Sequence, residues 1–411
     1  MHKLTHLTLA TILTASMIGS VSAEMLETPY SEALTMSSVS EQVYQRLPAK
    51  LGEATFSELQ IANDALSQSL FAAPATANLH HFNDAIGSGD GLQEWEGSVD
   101  MPLWLPQQKQ TQQALSDKIM AQLPAYQNRL RLEASGKLRE VVWQVKLAES
   151  ELEQATVVWL TAQKLEQDVA ARVQAGDMPN TEALLASSNT LEARTRVVEA
   201  ESNLAKELTH YSHITGLQAL PVEVSEDLAT DNVIPLTHPI LNQQDQLIAK
   251  LQADLAIARY DGSANPNLSV GVKRDRGDDS ESFNNSLGLG ISIPLNNARY
   301  SQPAIATASS ALTDAQITRQ QLELELEHDL YAARETLTAV QKQLELVTEQ
   351  DEATQQYYQL QKRAFDLGEI NLIDLLRSQV LANDSSSRKR QLEVVIEQKI
   401  ADVNQSLGRI L

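Results

Sequence analysis

The chain has 411 residues, enough for two or three domains, with a net charge of −22, 4% aromatic residues and no cysteine. The negative charge disfavours binding to nucleic acid or to anionic lipid, and the absence of cysteine excludes disulfides, thiolate metal sites and cysteine nucleophiles. Scarce Gly and Pro, with abundant Ala, Leu, Gln and Glu, favour long helices over a compact sheet-rich core.

The first residues have the pattern of a secretory signal peptide. Lys3 precedes an apolar stretch of about a dozen residues, too short to span a membrane, and Val21-Ser22-Ala23 is a small-residue cleavage site. We therefore predict a signal peptide over 1–23, followed by an exported chain with an N-terminal segment over 24–47. No later stretch is apolar enough to predict a transmembrane helix.

The rest of the chain contains an internal repeat with a constant offset of 192 residues. Four pairs of landmarks share this offset: Pro74 and Pro266, Pro102 and Pro294, Gly176 and Gly368, Gly216 and Gly408. Four such matches without an insertion indicate two large structural copies rather than a solenoid. We predict a first repeat over 48–216, a linker over 217–238 and a second repeat over 239–411.

A β-hairpin is predicted in each repeat. In the second repeat, aliphatic residues alternate with small or polar ones over 267–272 and again over 286–293, which is the period of a strand. The first repeat alternates over 94–101, but its first strand, at 76–82, is poorly patterned. A soluble hairpin with one buried face would look similar; in an exported chain, strands of about ten residues also fit an outer-membrane barrel wall.

Very long helices follow the hairpins. The stretch 304–367 contains no Gly or Pro, and one continuous helix of that length would span roughly 96 Å, too long for a compact domain. The matching stretch in the first repeat is 125–175, with Gly136 inside it and a kink expected at Pro124. Other elements are predicted by position: return helices over 181–215 and 372–407, further helical segments over 48–71 and 239–260, and a short strand over 221–224.

Each long helix ends at a glycine turn, where Gly176 and Gly368 are expected to act as C-caps with positive φ. From Pro102 to Gly176, and from Pro294 to Gly368, the distance is 74 residues. Equal lengths predict that both turns lie at the same level.

Four candidate membrane strands per chain cannot close a barrel, and open sheet edges are not viable in lipid. Two chains would give eight strands with a largely filled interior, whereas three would give twelve and leave room for a channel. A trimer is favoured, although these arguments leave other assemblies open.

The order of hairpin, very long helix, glycine tip and return helix, given twice, resembles the TolC-type outer-membrane efflux proteins over about residues 40–411. The motifs that carry the resemblance are Met101-Pro102-Leu103-Trp104-Leu105-Pro106, Ile291-Ser292-Ile293-Pro294-Leu295, the two glycine tips, and His238-Pro239 ahead of Asn265-Pro266. Within the family, the chain is most similar to the heavy-metal branch of CzcC-like and CusC-like proteins.

This resemblance implies a mainly α-helical fold with a membrane β-barrel portion: a homotrimer with a 12-stranded barrel in outer-membrane lipid and a 12-helix barrel in the periplasm. It implies a passive duct without cofactors, served by an inner-membrane pump, expected to be proton-driven, and by a periplasmic adaptor. The adaptor would contact the tips at Ala175, Gly176, Asp177, Leu367, Gly368 and Glu369. Heavy-metal cations are the expected cargo, with drugs or secreted polypeptides as alternatives.

The resemblance also implies a periplasmic aperture beside the second tip. Asp374 matches the first position of an acidic ring, but Arg377 replaces the next acid of the family. Phe365 stands at the position of a gating tyrosine and lacks its hydroxyl. These departures argue against a doubly acidic cation-binding gate and against a hydrogen-bonded latch.

Several polar residues have both a functional and an ordinary explanation. If the apolar face of the hairpins meets lipid, Glu94, Glu96 and Asp100 face the lumen, where threefold symmetry would turn each into a ring. His210 and His213 could bind a metal and His80-His81 could line a lumen, but surface histidines are the commoner explanation.

The sequence has no phosphate loop, nucleophile elbow or zinc-protease motif, so we predict no catalytic residues and no metal site. An exported enzyme and a periplasmic coiled-coil adaptor or structural protein remain as alternatives. An adaptor would need a β-rich, lipoyl-like segment around a single helical hairpin, and the duplicated hairpins argue against it.

Overall fold

The computed structural model describes residues 28–260, 264–295 and 298–411, so the predicted signal peptide over 1–23 lies outside the described residues. The described chain is mainly helical, with one four-stranded sheet and one two-stranded pair. In chain order its elements are β1 (Tyr30–Ser31), α1 (Met36–Arg46), α2 (Gly52–Gln68), β2 (Thr76–Asn83), β3 (Gln93–Pro102), α3 (Gln108–Met120), α4 (Gln122–Gln174), α5 (Asn180–Thr215), β4 (Leu220–Pro221), α6 (Pro239–Ala258), β5 (Asn267–Arg276), β6 (Asn284–Ser292), α7 (Gln302–Asp366) and α8 (Leu372–Ser406).

The predicted long helices are present, but the two repeats build them differently. α7 runs unbroken for 65 residues. Its counterpart is divided into α3 and α4 at Ala121. Pro124 therefore does not kink a helix interior; it lies in the first turn of α4, where its missing N–H has no helical acceptor to lose. Gly136 lies inside α4, where a Cβ would come within 2.9 Å of Gln405 Nε2 on α8.

The four-stranded sheet has the order β2-β3-β5-β6 and is antiparallel throughout. The predicted second hairpin is confirmed, and the weakly patterned first strand is a regular strand paired with β3 from Thr76↔Asp100 to Asn83↔Gln93. The β3–β5 pairing joins the hairpins of the two repeats. The loops 84–92 and 277–283 lie at one end of the sheet, and all connections to helices leave from the other end.

Two features of the N-terminal segment and linker differ from expectation. The N-terminal segment contains a helix, α1, which buries Val39 and Val43 against α4 and α5. The strand predicted over 221–224 is shorter and begins one residue earlier, at Leu220, because it pairs in parallel with only the two residues Tyr30 and Ser31.

The linker connects two hydrophobic cores and is fastened by a buried ion pair. Arg139 of α4 is 3% exposed and donates from Nε and Nη2 to the two carboxylate oxygens of Glu226, each over 2.7 Å. Its Nη1 donates to the Arg409 carbonyl over 3.0 Å. Asn404 of α8 donates to Glu226 over 3.1 Å and accepts from the Ala229 amide over 3.0 Å. This network joins the first repeat, the linker and the end of the second repeat.

We predict that Arg139→Met lowers the free energy of unfolding by about 3–5 kcal/mol, because it leaves the Glu226 carboxylate buried without its cation. The matched control is Arg196→Met, whose ion pair with Glu192 is largely exposed and should contribute less than about 1 kcal/mol. Thermal unfolding of the purified protein at one fixed concentration measures both. Equal losses of unfolding free energy in the two variants would contradict the prediction that the Arg139–Glu226 ion pair stabilises the junction.

His238 begins α6 inside the same junction. It is 1% exposed, and its Nδ1 accepts from the Ile240 amide over 3.3 Å. Gly408, with φ +76°, packs so closely that a Cβ would lie 2.5 Å from the His238 Cδ2. Burial lowers the pKa of His238 to about 4 from 6.5, opposed by a smaller contribution from the Ser406 backbone. The imidazole is therefore neutral at the pH of most compartments.

His238 binds a proton more readily in the unfolded chain than in the folded one. We therefore predict that the free energy of unfolding is highest above pH 6.5 and decreases as the pH drops from 6.5 towards 4. The loss assigned to His238 is about 3 kcal/mol. His238→Asn retains an N-cap acceptor without a titrating group and should flatten this part of the profile. Chemical denaturation at a series of pH values measures it; parallel profiles for the variant and the parent protein would refute the assignment.

Candidate functional site

The two faces of the four-stranded sheet have opposite chemistry. One face, here called the apolar face, carries Leu79, Val99, Val270, Val272, Leu287, Leu289 and Ile291, most of them 43–76% exposed. The other, the polar face, carries Glu94, Glu96, Asp100 and small residues such as Gly288 and Gly290. A sheet that exposes so continuous an apolar surface requires a non-aqueous neighbour.

The three acids predicted to share a face do share the polar one. Glu94 accepts an ion pair from Lys273 of the neighbouring strand over 2.9 Å, and Asp100 accepts from Asn78 Nδ2 over 2.8 Å. Glu96 is exposed. One cation therefore offsets part of the negative charge of this face.

The adjacent histidines do not act together. Because successive strand residues point to opposite faces, His80 lies on the polar face, while His81 lies on the apolar face and stacks on Trp95 with ring centroids 3.9 Å apart. The two histidines therefore cannot both line one lumen.

The two glycine tips are built alike. Gly176 and Gly368 have φ of +85° and +74°, as predicted for C-caps. At the first tip the Asp177 amide donates to the Arg172 carbonyl over 2.9 Å, and at the second the Glu369 amide donates to the Ala364 carbonyl over 2.8 Å. All six predicted contact residues are exposed: Ala175, Gly176, Asp177, Leu367, Gly368 and Glu369.

The two tips lie side by side and share a small hydrophobic core. Phe365 is 3% exposed and packs in a cluster with Val169 of α4 and Leu372 of α8. Arg172 ends α4 with its guanidinium 5.1 Å from the Phe365 ring centre, and its Nη2 lies 2.7 Å from Asp366 Oδ1 of α7. The position expected for a gating tyrosine is thus occupied by a packed ring that is held by a cation rather than by a hydroxyl hydrogen bond.

Asp374 and Arg377 lie in the first two turns of α8, beside the second tip. The Asn371 side chain caps this helix by accepting from the Asp374 amide over 2.9 Å. Arg377 Nη1 lies 3.6 Å from Asp374 Oδ1, and both side chains are substantially exposed. Arg377 therefore pairs with the acid three residues before it and offsets part of its charge.

The histidines considered for metal binding have no supporting ligand set. His210 and His213 are exposed, and His210 lies 3.9 Å from Glu207. Within the described ranges, no group of three or more His, Cys, Asp or Glu side chains is arranged to hold a metal ion. Among the described helices, none combines the length and the apolar character needed to cross a membrane.

Solved structures with similar folds include CusC, with 14% identity over 91% of this chain and 92% of that chain and a TM-score of 0.70. The outer membrane protein VceC of Vibrio cholerae matches with 11% identity over 91% and 96% and a TM-score of 0.68. The Campylobacter jejuni CmeC outer membrane channel matches with 13% identity over 99% and 94% and a TM-score of 0.67.

The chain has the fold of the TolC-type outer-membrane channels. The predicted mainly helical fold with a sheet portion is confirmed. No family model and no curated protein matches the sequence.

Sequence reasoning missed Arg172, the cation that ties the two tips of this TolC-type fold together. The repeat offset could have drawn attention to the tips, but position 364, the counterpart of Arg172, is an alanine. An interaction present in one copy only leaves no repeated signal.

We predict that Arg172→Gln loosens the tips with little effect on global stability, because the Arg172–Asp366 pair is partly exposed and its removal should cost at most about 1 kcal/mol. Amide hydrogen exchange should rise in peptides covering 172–182 and 363–375. The control, Arg196→Gln, removes an exposed ion pair with Glu192 inside one helix. If amide exchange at the tips is unchanged, or rises equally in the control, Arg172 does not hold the two tips together.

Proposed function

We propose that the chain is the outer-membrane channel of a tripartite efflux system, a passive exit duct with a long periplasmic extension. One observation carries the proposal: a sheet with an exposed apolar face and two unpaired edges, β2 and β6, is joined directly to very long helices. Such a sheet suits a membrane only when further strands close it.

A homotrimer meets this requirement, since three copies bring four strands each to a twelve-stranded barrel. The helices support the same assembly. On α5, Leu184, Leu191 and Val198 recur every seven residues and are 66%, 67% and 52% exposed. On α7, Ile317 and Leu324 continue to Tyr331 with the same spacing and similar exposure. Heptad-spaced apolar residues are expected where a second helix packs alongside, here from a neighbouring protomer.

In this assembly each candidate site has a place. The apolar face meets outer-membrane lipid, so Glu94, Glu96 and Asp100 face the lumen. The tips, 175–177 and 367–369, form the contact ring for a periplasmic adaptor with its inner-membrane pump, expected to be proton-driven. Asp374 and Arg377 line the periplasmic aperture, with Phe365 packed behind them. The division into 24–47, 48–216, 217–238 and 239–411 follows the repeat.

We further propose heavy-metal cations as cargo, with drugs or polypeptides as the alternative. The luminal acids and the CusC-like fold support cations. Lys273 and Arg377 offset two of the acids, so any preference for cations should be modest. Profiling a deletion strain against metal salts and against drugs separates these cargoes.

The function is tested by fractionation and conductance. The full chain should appear as heat-modifiable trimers in outer-membrane fractions, and purified trimers should form channels in planar bilayers without ATP. Purely soluble periplasmic protein would reject the channel and favour the coiled-coil adaptor or structural alternative.

We predict opposite effects from the two charges at the aperture. Arg377→Gln frees three Asp374 carboxylates in the trimer and should increase the cation preference measured from reversal potentials in a salt gradient. Asp374→Asn should lower it. Asp384→Asn, an acid further along α8 and away from the aperture, is the matched control. If all three variants behave like the parent channel, the aperture assignment is wrong.

A further inference from the structure

We propose that the apolar face of the sheet binds a phosphorylated, acylated lipid of the outer leaflet at the end of the sheet that carries the loops. The phosphate would lie on Arg274 and Arg276, and an acyl chain would lie in the groove above Gly97. This inference rests on the proposed function, because it requires that the apolar face meets lipid and that the loops 84–92 and 277–283 point away from the periplasm.

One row of side chains marks where the apolar part of this face ends. The strand register pairs His81 with Trp95, Trp95 with Arg274, and Arg274 with Asn285, so all four share the apolar face. The next row towards the helices consists of Leu79, Gly97, Val272 and Leu287. A row with Trp and Arg directly beyond an apolar band has the composition of a membrane interface.

Two guanidinium groups are held together in this position. The Cζ atoms of Arg274 and Arg276 lie 4.4 Å and 5.0 Å from the centre of the Phe283 ring. Arg276 pairs with Asp279 over 2.6 Å, whereas Arg274 has no carboxylate partner within the described part of the chain. Two guanidinium groups beside the same ring repel each other. A phosphate would relieve this repulsion, because its several oxygens can accept hydrogen bonds from both groups.

The charge of this face is local and opposite to that of the whole chain. The net charge is −22, but every Asp and Glu in the four strands lies on the polar face: Glu94, Glu96, Asp100 and Asp275. The apolar face carries Arg274 and Arg276 at its strand positions and no acid. The adjoining loops carry the acids Asp84, Asp90, Asp278, Asp279 and Glu281, and Asp279 already pairs with Arg276. Arg274 is therefore the main cation that this face offers to an anion.

The groove argues for a lipid rather than a free anion. It has a volume of 610 Å³ and aliphatic and aromatic walls from Leu79, Trp95, Val272 and Leu287 around Gly97, with Lys273, Arg274, Asn285 and Ser286 completing the lining. A Cβ on Gly97 would meet only Leu79 Cδ1, at 3.9 Å, so packing within the chain does not demand the missing side chain. Since Arg274 lines the same groove, one molecule can place an acyl chain on the aliphatic walls and its phosphate on the guanidinium.

The test uses full-length trimers purified in detergent and titrated with diphosphorylated, hexa-acylated lipid A, with bound lipid counted by native mass spectrometry. Arg274→Gln/Arg276→Gln should weaken binding about tenfold or more, since each interfacial cation contributes on the order of a factor of five. Lys342→Gln removes the same charge from an exposed position forty residues into α7, far from the sheet, and should bind within about twofold of the parent. Gly97→Leu fills the groove and should also weaken binding.

Further arms separate the sources of the interaction. Removing the phosphates from lipid A should weaken its binding to the parent protein at least as much as the double Gln substitution weakens binding of intact lipid A. Inorganic phosphate at millimolar concentration should not displace lipid A. Arg274→Lys/Arg276→Lys should retain part of the affinity and, like the Gln variant, run as heat-modifiable trimers.

Any of four results would overturn the proposal: equal binding by the parent and the double Gln variant, equal binding of lipid A with and without its phosphates, unchanged binding by Gly97→Leu, or competition by free phosphate. If one of these results is found while the protein still forms conducting trimers, the lipid site is wrong and the proposed channel function stands. If the protein forms no trimers in the membrane, the lipid site and the channel function are both wrong.

Discussion

Ten residue pairs join β3 of the first repeat to β5 of the second, from Gln93↔Arg276 to Pro102↔Asn267. This register determines which side chains share a face, because a shift of one residue would move every side chain to the opposite side of the sheet. With the register as it is, Val99 meets Val270 on one face and Asp100 meets Ser269 on the other. The apolar surface, the acidic surface and the position of the loop-end arginines all follow from this one pairing. The free edges of the sheet also follow, since the pairing uses one edge of each hairpin and leaves β2 and β6 as the outer strands.

The helices must deliver both tips to the same place, and the two repeats achieve this by different means. α7 is continuous, whereas α3 and α4 share the same span with a break at Ala121. The side-by-side tips, linked by Arg172 and Asp366, indicate that the break does not change the reach of the first helix. Where the return helices end, Arg139 and Glu226 hold the linker between the repeats. The exposed heptad positions of α5, from Leu184 to Val198, lie between this linker and the tips.

Much of this architecture could be predicted from the sequence because it depends on local periodicity and on spacing. The run without Gly or Pro gave α7 to within a few residues, and Gly176 and Gly368 are conformationally required at positive φ. Other features depend on contacts between distant parts of the chain. The strand β2 is weakly patterned because His81 occupies an apolar-face position, where it stacks on Trp95. Phe365 could be placed at the tip from sequence, but its burial depends on a cluster that includes Val169 of the first repeat, far away along the chain.

The net charge gave the least reliable guide to partners, because charge acts locally in a protein of this length. A value of −22 indicates repulsion of anions on average, and the polar face of the sheet agrees with it. Successive strand residues point to opposite faces, however, so the acids of these strands lie on one face of the sheet and Arg274 and Arg276 lie on the other. Solvent and salt screen the long helices and their many carboxylates from the loop end of the sheet. The charged strand residues of the apolar face are therefore both arginines, although the chain as a whole and the loops beyond the sheet are acidic.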